Sequence, residues 1–333
     1  MFKNNAEEEM GEQIKISILV PTYQREHLLE RNLDCCAKSL SGVESQFEVI
    51  VGDNGAQDEV HRMVDEFALR TGIATLYLGA PVTANMQENH LRLLKMARGT
   101  YAQFIHDDDF LLPGAGSELL ASVAAAAGSS ALIKHRVRLV NLEGKESRVE
   151  GSRKWCQLNA EEAVGLLIRH SSFVRFPAVL IPRKAFLDLG GFDVGQGNLF
   201  DLAAWLLMAA KHGMILSPRM TVAFTRHEGS ETNTMFEEAY VQRLEGLLGA
   251  YAGQAGLSDK AARKSVGMFL WRYLLAGALR AQRAGDGGVL VKRLALWEIL
   301  RGKGYECPWR WRILKWYIQM WAKWIRESGG KTL

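Results

Sequence analysis

Thr100-Tyr101-Ala102-Gln103-Phe104-Ile105-His106-Asp107-Asp108-Asp109-Phe110 runs an aromatic, β-branched stretch straight into three consecutive carboxylates. The first six residues have the composition of a buried strand. Leu111-Leu112-Pro113-Gly114 then turns the chain away. Adjacent anions at a strand end repel one another and cost stability unless a cation compensates them. A hard divalent ion with oxygen ligands, Mg²⁺ or Mn²⁺, suits such a triplet. A solvated acidic turn is the plainer alternative.

Working outward, the segment before the triplet alternates. Lys15–Val20 reads as a strand stopped by Pro21, and a helix follows from about His27 to Leu40 with Leu28, Leu29, Leu33 and Cys36 on one face. Phe47–Val51 is a second strand, closing in Gly52-Asp53-Asn54-Gly55, and a helix spans about Asp58 to Arg70. Thr75–Leu78 is a third strand, and Glu88 to Arg98 a third helix ended by Gly99. This order predicts a parallel sheet with ligands at the carboxyl ends of its strands. Polar residues fall at those ends: Pro21-Thr22-Tyr23-Gln24-Arg25 after the first strand, Asp53-Asn54 after the second, and the triplet after the fourth. Neither G-x-G-x-x-G after the first strand nor G-x-x-x-x-G-K-[ST] occurs, which disfavours a dinucleotide-dependent dehydrogenase and a P-loop ATPase.

A chain of 333 residues carries a prior of two domains, and 48% hydrophobic residues suffice for a large core. The net charge of +4 is unevenly placed. Glu7, Glu8, Glu9 and Glu12 make the start acidic, whereas Arg301, Lys303, Arg310, Arg312, Lys315, Lys323, Arg326 and Lys331 face only Glu306 and Glu327 at the other end. Such a basic end implies a phosphate-rich partner. Cys35, Cys36, Cys156 and Cys307 match no zinc or redox spacing and read as reduced thiols of the cytosol. The acidic start does not resemble a signal peptide. No uncharged run reaches the ~18 residues of a spanning helix; the nearest, Val266 to Ala281, carries Arg272 and Arg280.

The ordered set of motifs resembles family 2 glycosyltransferases of the GT-A fold over residues 14–232. Its anchors are Val20-Pro21-Thr22-Tyr23-x-Arg25, Val51-Gly52-Asp53-Asn54-Gly55, Ala97-Arg98-Gly99-Thr100-Tyr101, His106-Asp107-Asp108-Asp109, Gly190-Gly191-Phe192-Asp193, Asp201 with Trp205, and Arg226-His227. The resemblance implies a Rossmann-like α/β catalytic domain, mostly parallel, followed by a helical region over 233–333. It also implies an inverting, metal-dependent transfer from a nucleotide-sugar donor. Asp53-Asn54 occupies the place of a family Asp-Asp pair that reads the base, although Asn54 also suits a turn before Gly55. Pro21, Thr22 and Tyr23 resemble the loop against base and ribose, and Arg25 would approach the phosphates or merely face solvent at a helix start. The triplet matches the family's D-x-D element. Asp109 is the expected metal ligand, Asp107 a ribose or second metal contact, and Asp108 shares either role. His227 in Thr225-Arg226-His227-Glu228 fits a later ligand to Mn²⁺ or Mg²⁺, and His106 reads as a packed core histidine.

Asp201 aligns with the family's base, with Phe200 where an acidic neighbour is expected; an ordinary helix N-cap is the alternative for Asp201. Asp193 reads as a loop-shaping residue. The expected acceptor is a saccharide, lipid-linked or at a growing surface polymer. Two other readings compete, a sugar-nucleotidyltransferase and a degenerate transferase acting as a membrane-associated subunit. The first lacks its G-x-G-x-R loop, and Phe200 and Asn54 are the departures that keep the second open.

From about Met235 onward the sequence reads helical. On a wheel of Trp309–Arg326, Lys315, Arg326, Gln319, Arg312 and Lys323 gather in one arc, and Trp, Ile, Leu, Met and Tyr cover most of the rest. A basic stripe beside a Trp-rich face is the composition of a helix in a bilayer interface. Packing on the protein or a dimer contact is the alternative, and the continuous aromatic face disfavours nucleic acid. The expected location is the cytoplasm, peripheral at the inner face of the cytoplasmic membrane.

Overall fold

In the computed structural model the described residues are 14–80, 85–170, 173–226 and 236–327. Two compact units divide the chain, Met1–Asn159 with Val174–His227, and Ala160–Phe173 with Glu228–Leu333.

The first unit opens with β1 (Ile16–Thr22), α1 (Glu26–Leu40), β2 (Phe47–Asp53), α2 (Asp58–Thr71), β3 (Ala74–Gly79), α3 (Met86–Met96) and β4 (Tyr101–Phe104). These strands pair in parallel in the order β3-β2-β1-β4. Every residue of β1 and β2 is buried, which is why they read as continuous apolar runs rather than alternating ones. Ile16, Ile18 and Val20 join Leu29 and Leu33 of α1 and Val60, Val64 and Phe67 of α2 in one core. On the other face α3 lies so close to β2 that a Cβ at Gly52 would meet Asn89 Oδ1 at 2.7 Å. Asn85 and Glu88 start α3 with reciprocal capping bonds.

Pro21 does not stop β1. Leu19 accepts from Ile105 on the β4 side, and Thr22 accepts from Asn54 on the β2 side. Alternation therefore turns the donorless Pro21 nitrogen toward β4, whose pairing has already ended at Leu19↔Phe104. The strand continues on β2 alone, ending at Thr22↔Asp53.

The remainder of this unit holds β5 (Phe110–Leu111), α4 (Ala115–Ala126), β6 (Leu132–Val140), β7 (Glu146–Glu150), β8 (Cys156–Leu158), β9 (Val179–Pro182), α6 (Arg183–Asp188), α7 (Phe200–His212) and β10 (Met214–Thr225), with α5 (Ala160–Leu167) belonging to the other unit. The sheet continues β4-β9-β6-β10-β5, with β7 on β6 and β8 on β10. β9 is antiparallel to both β4 and β6, whereas β10 runs parallel to β6. β10 slips register between Leu216 and Met220, where Pro218 interrupts the ladder. β5 and β10 carry the chain back to the carboxyl end of β4, beside the Asp triplet.

The second unit is helical among its described residues: α5, α8 (Glu238–Ala252), α9 (Asp259–Arg283), α10 (Gly287–Gly302) and α11 (Arg312–Glu327), the last preceded by a 3-10 turn at Trp309–Trp311. Its core centres on Trp271 and Trp297, fully buried, with ring centroids 6.0 Å apart. Arg293 is buried there too, donating to the Gly277 carbonyl across the face of Phe236. No described helix is long and apolar enough to cross a membrane.

α11 divides its apolar circumference. Ile318 and Ala322 are buried on one stripe, whereas Trp309, Ile313, Trp316, Tyr317 and Met320 are exposed, Ile313 by 80% and Trp316 by 62%. One side of the helix is therefore packed on its own unit, and an aromatic side is left over.

Candidate active site

The carboxyl ends of β1, β2 and β4 lie side by side, so the residues after them converge. The loop after β1 passes through Gln24 in a left-handed conformation, φ +53°. Arg25 then points its guanidinium at Asp107 Oδ1, 3.3 Å away, and at Asp108 Oδ2, 3.5 Å away. Thr22 donates its hydroxyl to Asp107 Oδ2 at 3.0 Å. Tyr23 is exposed beside them.

Asp53 is fully buried and committed to its own turn. Oδ1 accepts from the Gly55 N–H at 2.7 Å; Oδ2 accepts from the Gln57 N–H at 2.7 Å and the Tyr77 hydroxyl at 3.1 Å. That turn presents the half-buried Asn54 at the strand end. Of the expected base-reading pair, Asp53 thus shapes the loop, and Asn54 is half-buried with its Oδ1 shielded from solvent.

The triplet forms a tight turn in which the Asp109 N–H donates to the His106 carbonyl at 3.0 Å. Asn32 Nδ2 clamps it from α1, donating to the carbonyls of His106 at 2.8 Å and Asp109 at 2.9 Å. Arg31 donates to the Asp108 carbonyl at 2.7 Å and stacks over Phe110. Sequence reasoning missed both α1 residues. Their signal is a lone Asn between Leu29, Leu33 and Cys36, a polar residue on a core-facing stripe.

Asp107 and Asp109 are buried, and their surroundings differ. Asp107 is held by Thr22 and Arg25. Burial and Asp108 push its pKa up, while Arg25 and Thr22 pull it down. Asp109 Oδ1 accepts from the Thr225 N–H at 2.8 Å, which ties the end of β10 to the turn. Asp109 Oδ2 is buried with no hydrogen-bond partner and stands 3.7 Å from His106 Nδ1. Burial, with Asp108 adding, pushes the Asp109 carboxyl up to about 6, against the pull of His106 and the Thr225 N–H.

His106 is not merely packed. His90 Nδ1 lies 2.7 Å from the Met86 carbonyl, so that nitrogen donates and Nε2 accepts. Burial drives the His90 pKa down to about 3, keeping the ring neutral. His106 Nε2, 3.1 Å from His90 Nε2, must then be the donor of that contact. The other His106 nitrogen, Nδ1, is left facing the carboxylates. Burial lowers the His106 pKa, but Asp109, Asp108 and Asp107 more than reverse that.

His106, Asp108 and Asp109 each offer a ligand atom, all within 4.8 Å of one another. One imidazole and two carboxylates, one of them with an orphaned buried oxygen, fit a divalent ion such as Mn²⁺ or Mg²⁺. Asp107, the other expected metal contact, has its carboxylate held toward the β1 loop by Thr22 and Arg25. His227 lies outside the described residues.

Asp201 sits in the first turn of α7, whose first helical residue is Phe200 and whose cap position is Leu199. It is therefore not the N-cap, although its Oδ1 accepts from the Leu202 N–H at 2.6 Å. Burial raises the Asp201 pKa, and the charge of His106 acts in the opposite sense. Phe200 has a packing reason: it is buried with Phe104, Phe176, Phe192 and Trp205 around His90, where a carboxylate would be stranded. Asp193 accepts from Gly195 and Gln196 and shapes its loop.

Residues 17–180 match the family model described as Glycosyl transferase family 2. An uncharacterised protein of Mycobacterium tuberculosis is 28% identical over 228 residues, covering 66% of this chain and 69% of its own. A GalNAc(5)-diNAcBac-PP-undecaprenol beta-1,3-glucosyltransferase of Campylobacter jejuni is 29% identical over 110 residues, 32% of this chain and 33% of that one. Among solved structures, S. aureus TarS 1–349 in complex with UDP-GlcNAc superposes with a TM-score of 0.59 at 17% identity, covering 80% of this chain and 74% of that one. The mannosyltransferase PcManGT of Pyrobaculum calidifontis, in complex with GDP-Man and Mn²⁺, gives a TM-score of 0.51 at 16% identity over 93% and 86% of the two chains. At such identities the structural likenesses speak for the fold, a GT-A sheet with its acidic turn at the strand ends. The family match over residues 17–180, laid on that sheet, identifies a glycosyl transferase family 2 domain in this glycosyltransferase.

Proposed function

We propose that this enzyme transfers a sugar from a nucleotide-sugar donor to a saccharide acceptor carried on a lipid or a surface polymer, with metal dependence and inversion at the anomeric carbon. The observation that carries the reading is that ligand atoms of His106, Asp108 and Asp109 lie within 4.8 Å of one another, while the buried Asp109 Oδ2 makes no hydrogen bond. Those three side chains, with His227 as a further candidate, would hold Mn²⁺ or Mg²⁺. When bound, such an ion supplies a counter-charge for the diphosphate of the donor and of the leaving nucleoside diphosphate.

The chain's own residues divide the remaining work. Pro21, Thr22 and Tyr23 would lie against base and ribose, with Asn54 offering both a donor and an acceptor to the base edge. Asp53 acts through the turn that carries Asn54. Asp107, oriented by Thr22 and Arg25, suits the ribose, and Arg25 is close enough to the turn to meet a phosphate. Asp201 would take the proton of the acceptor hydroxyl. Its raised pKa makes it a stronger base than an exposed carboxylate, which suits a group that must gain a proton during attack. Direct attack opposite the departing nucleoside diphosphate inverts the centre. A nucleotide-sugar donor and a lipid-linked acceptor are in keeping with the relatives: one is named as a glucosyltransferase acting on an undecaprenol-linked glycan, and two structures hold UDP-GlcNAc or GDP-Man.

We further read α11 as a peripheral contact with an anionic membrane. Its exposed Trp316, Tyr317, Ile313 and Met320 flank Arg312 and Lys323 on the same helix, and apolar burial with basic residues is the combination that holds interfacial helices.

Thermal unfolding with UDP, GDP and TDP, each with and without Mn²⁺, tests the site. A melting temperature raised by one nucleotide only when Mn²⁺ is present is expected, by mass action on the folded state. Equal nucleotide affinity with and without the ion would refute the assignment of the triplet.

A further inference from the structure

The end of α10, the start of α11 and the segment joining them form an open groove of mixed polar and apolar lining. The groove has a volume of about 520 Å³, and Arg301, Tyr305, Glu306, Arg312, Lys315 and Gln319 are among its lining residues. Its floor is held in place. The buried Trp271 donates its Nε1–H to the Tyr305 carbonyl at 3.0 Å, and Tyr305 itself is buried with the Arg263 guanidinium over its ring. Lys315 extends over the Trp271 ring, which fixes its ammonium at the groove wall.

The charge there is one-sided. Three cations meet a single carboxylate, Glu306, which is 90% exposed and 3.9 Å from Arg312. Arg301 also pairs with Glu298 on the helix surface. Two guanidinium groups, an ammonium and the Gln319 amide all donate, which is the chemistry that recognises a phosphate. Trp316 belongs both to this groove and to the exposed aromatic stripe of α11. A ligand lodged here by its phosphate would thus have its apolar part alongside Trp316, Ile313 and Met320.

We propose that this groove binds the phosphate of an anionic lipid headgroup, so that α11 docks through a specific headgroup contact rather than through diffuse charge alone. The inference rests on the membrane reading of α11 given above. The full-length protein is titrated with phosphatidylcholine vesicles, with and without phosphatidylglycerol, alongside Arg312→Gln, Arg301→Gln and Lys323→Gln. Lys323 lies on the same stripe as Arg312 but outside the groove, so Lys323→Gln removes equal charge. Arg312→Gln and Arg301→Gln should each weaken binding to the anionic vesicles by roughly five- to tenfold, and Lys323→Gln by no more than about twofold. Thermal unfolding checks that the exposed Arg312 and Arg301 are replaced without loss of fold.

Equal losses for Arg312→Gln and Lys323→Gln would overturn the headgroup site while leaving diffuse membrane binding intact. Failure of the unaltered protein to prefer anionic vesicles would overturn the membrane reading and this site together. Inorganic phosphate serves as the remaining probe. If it stabilises the protein in an Arg312-dependent way and vesicles do not bind, the groove serves a free anion and the lipid assignment fails.

Discussion

Replacing Asp109 by Asn should make the metal-free protein more stable while destroying its response to Mn²⁺. The carboxylate is buried, one oxygen has no hydrogen-bond partner, and its pKa stands near 6 rather than the ordinary 3.8. A carboxyl whose folded pKa is raised disfavours the folded state once ionised. The penalty is absent below the unfolded pKa, grows as pH rises through 4 to 6, and is complete above about 6. At about 1.4 kcal/mol per pH unit, the full shift corresponds to at most about 3 kcal/mol, and coupling to His106 reduces what is recovered to roughly 1–3 kcal/mol. Asparagine keeps an oxygen for the Thr225 N–H and turns its amide toward His106 Nδ1, a nitrogen that the His90 contact leaves as an acceptor. With a chelator present, Asp109→Asn should therefore raise Tm at pH 8 by roughly 2–4 °C per kcal/mol recovered, and leave it unchanged near pH 4. Adding millimolar Mn²⁺ should raise the Tm of the unaltered protein and not that of the variant. A chelated variant that melts lower at pH 8, or an equal response of both proteins to Mn²⁺, would refute the reasoning.

Asp201→Asn should lower transfer by roughly 10²–10⁴-fold, the usual worth of a general base, while nucleotide affinity with Mn²⁺ stays within about twofold by calorimetry. Retained turnover would place the base elsewhere. Protons compete with the ion for Asp109, so Mn²⁺ affinity measured by titration should be level at pH 7–8 and weaken as pH falls below about 6. Asn32→Ala should cost about 1–3 kcal/mol in denaturant unfolding, since it strips the donor from the buried Asp109 carbonyl and one of two donors from the His106 carbonyl, and should weaken Mn²⁺ binding; an Asn32→Ala protein with unaltered metal affinity would show that the clamp does not shape the turn. Trp316→Ser with Met320→Ser should leave nucleotide binding intact and cut vesicle binding, a loss that high salt does not reverse, because the lost contribution is apolar.

The route from sequence to site was readable where the pattern is local. Strands buried on both faces must be continuous apolar runs, so β1, β2 and β4 announced themselves and placed their polar ends together. A motif such as His106-Asp107-Asp108-Asp109 marks a candidate cation site by itself, since three adjacent carboxylates repel one another unless water or a cation compensates them. The amphipathic character of α11 is likewise a property of its own 16 residues.

Tertiary structure decided how those parts are used. Asp107 and Asp109 look alike in sequence, yet Thr22 and Arg25 draw one toward the β1 loop while Thr225, over a hundred residues away, fixes the other beside His106. The proton on His106 is set by His90, on α3, and no spacing rule connects the two. Phe200 became intelligible only as part of an aromatic cluster assembled from β4, α7 and the intervening loops. Short strands such as β9, four residues long between β4 and β6, carry too little pattern to be seen without their neighbours. Both the packed and the exposed stripes of α11 are apolar in composition; that Ile318 and Ala322 are buried while Ile313, Trp316, Tyr317 and Met320 stay exposed depends on contacts within the helical unit that no local periodicity encodes.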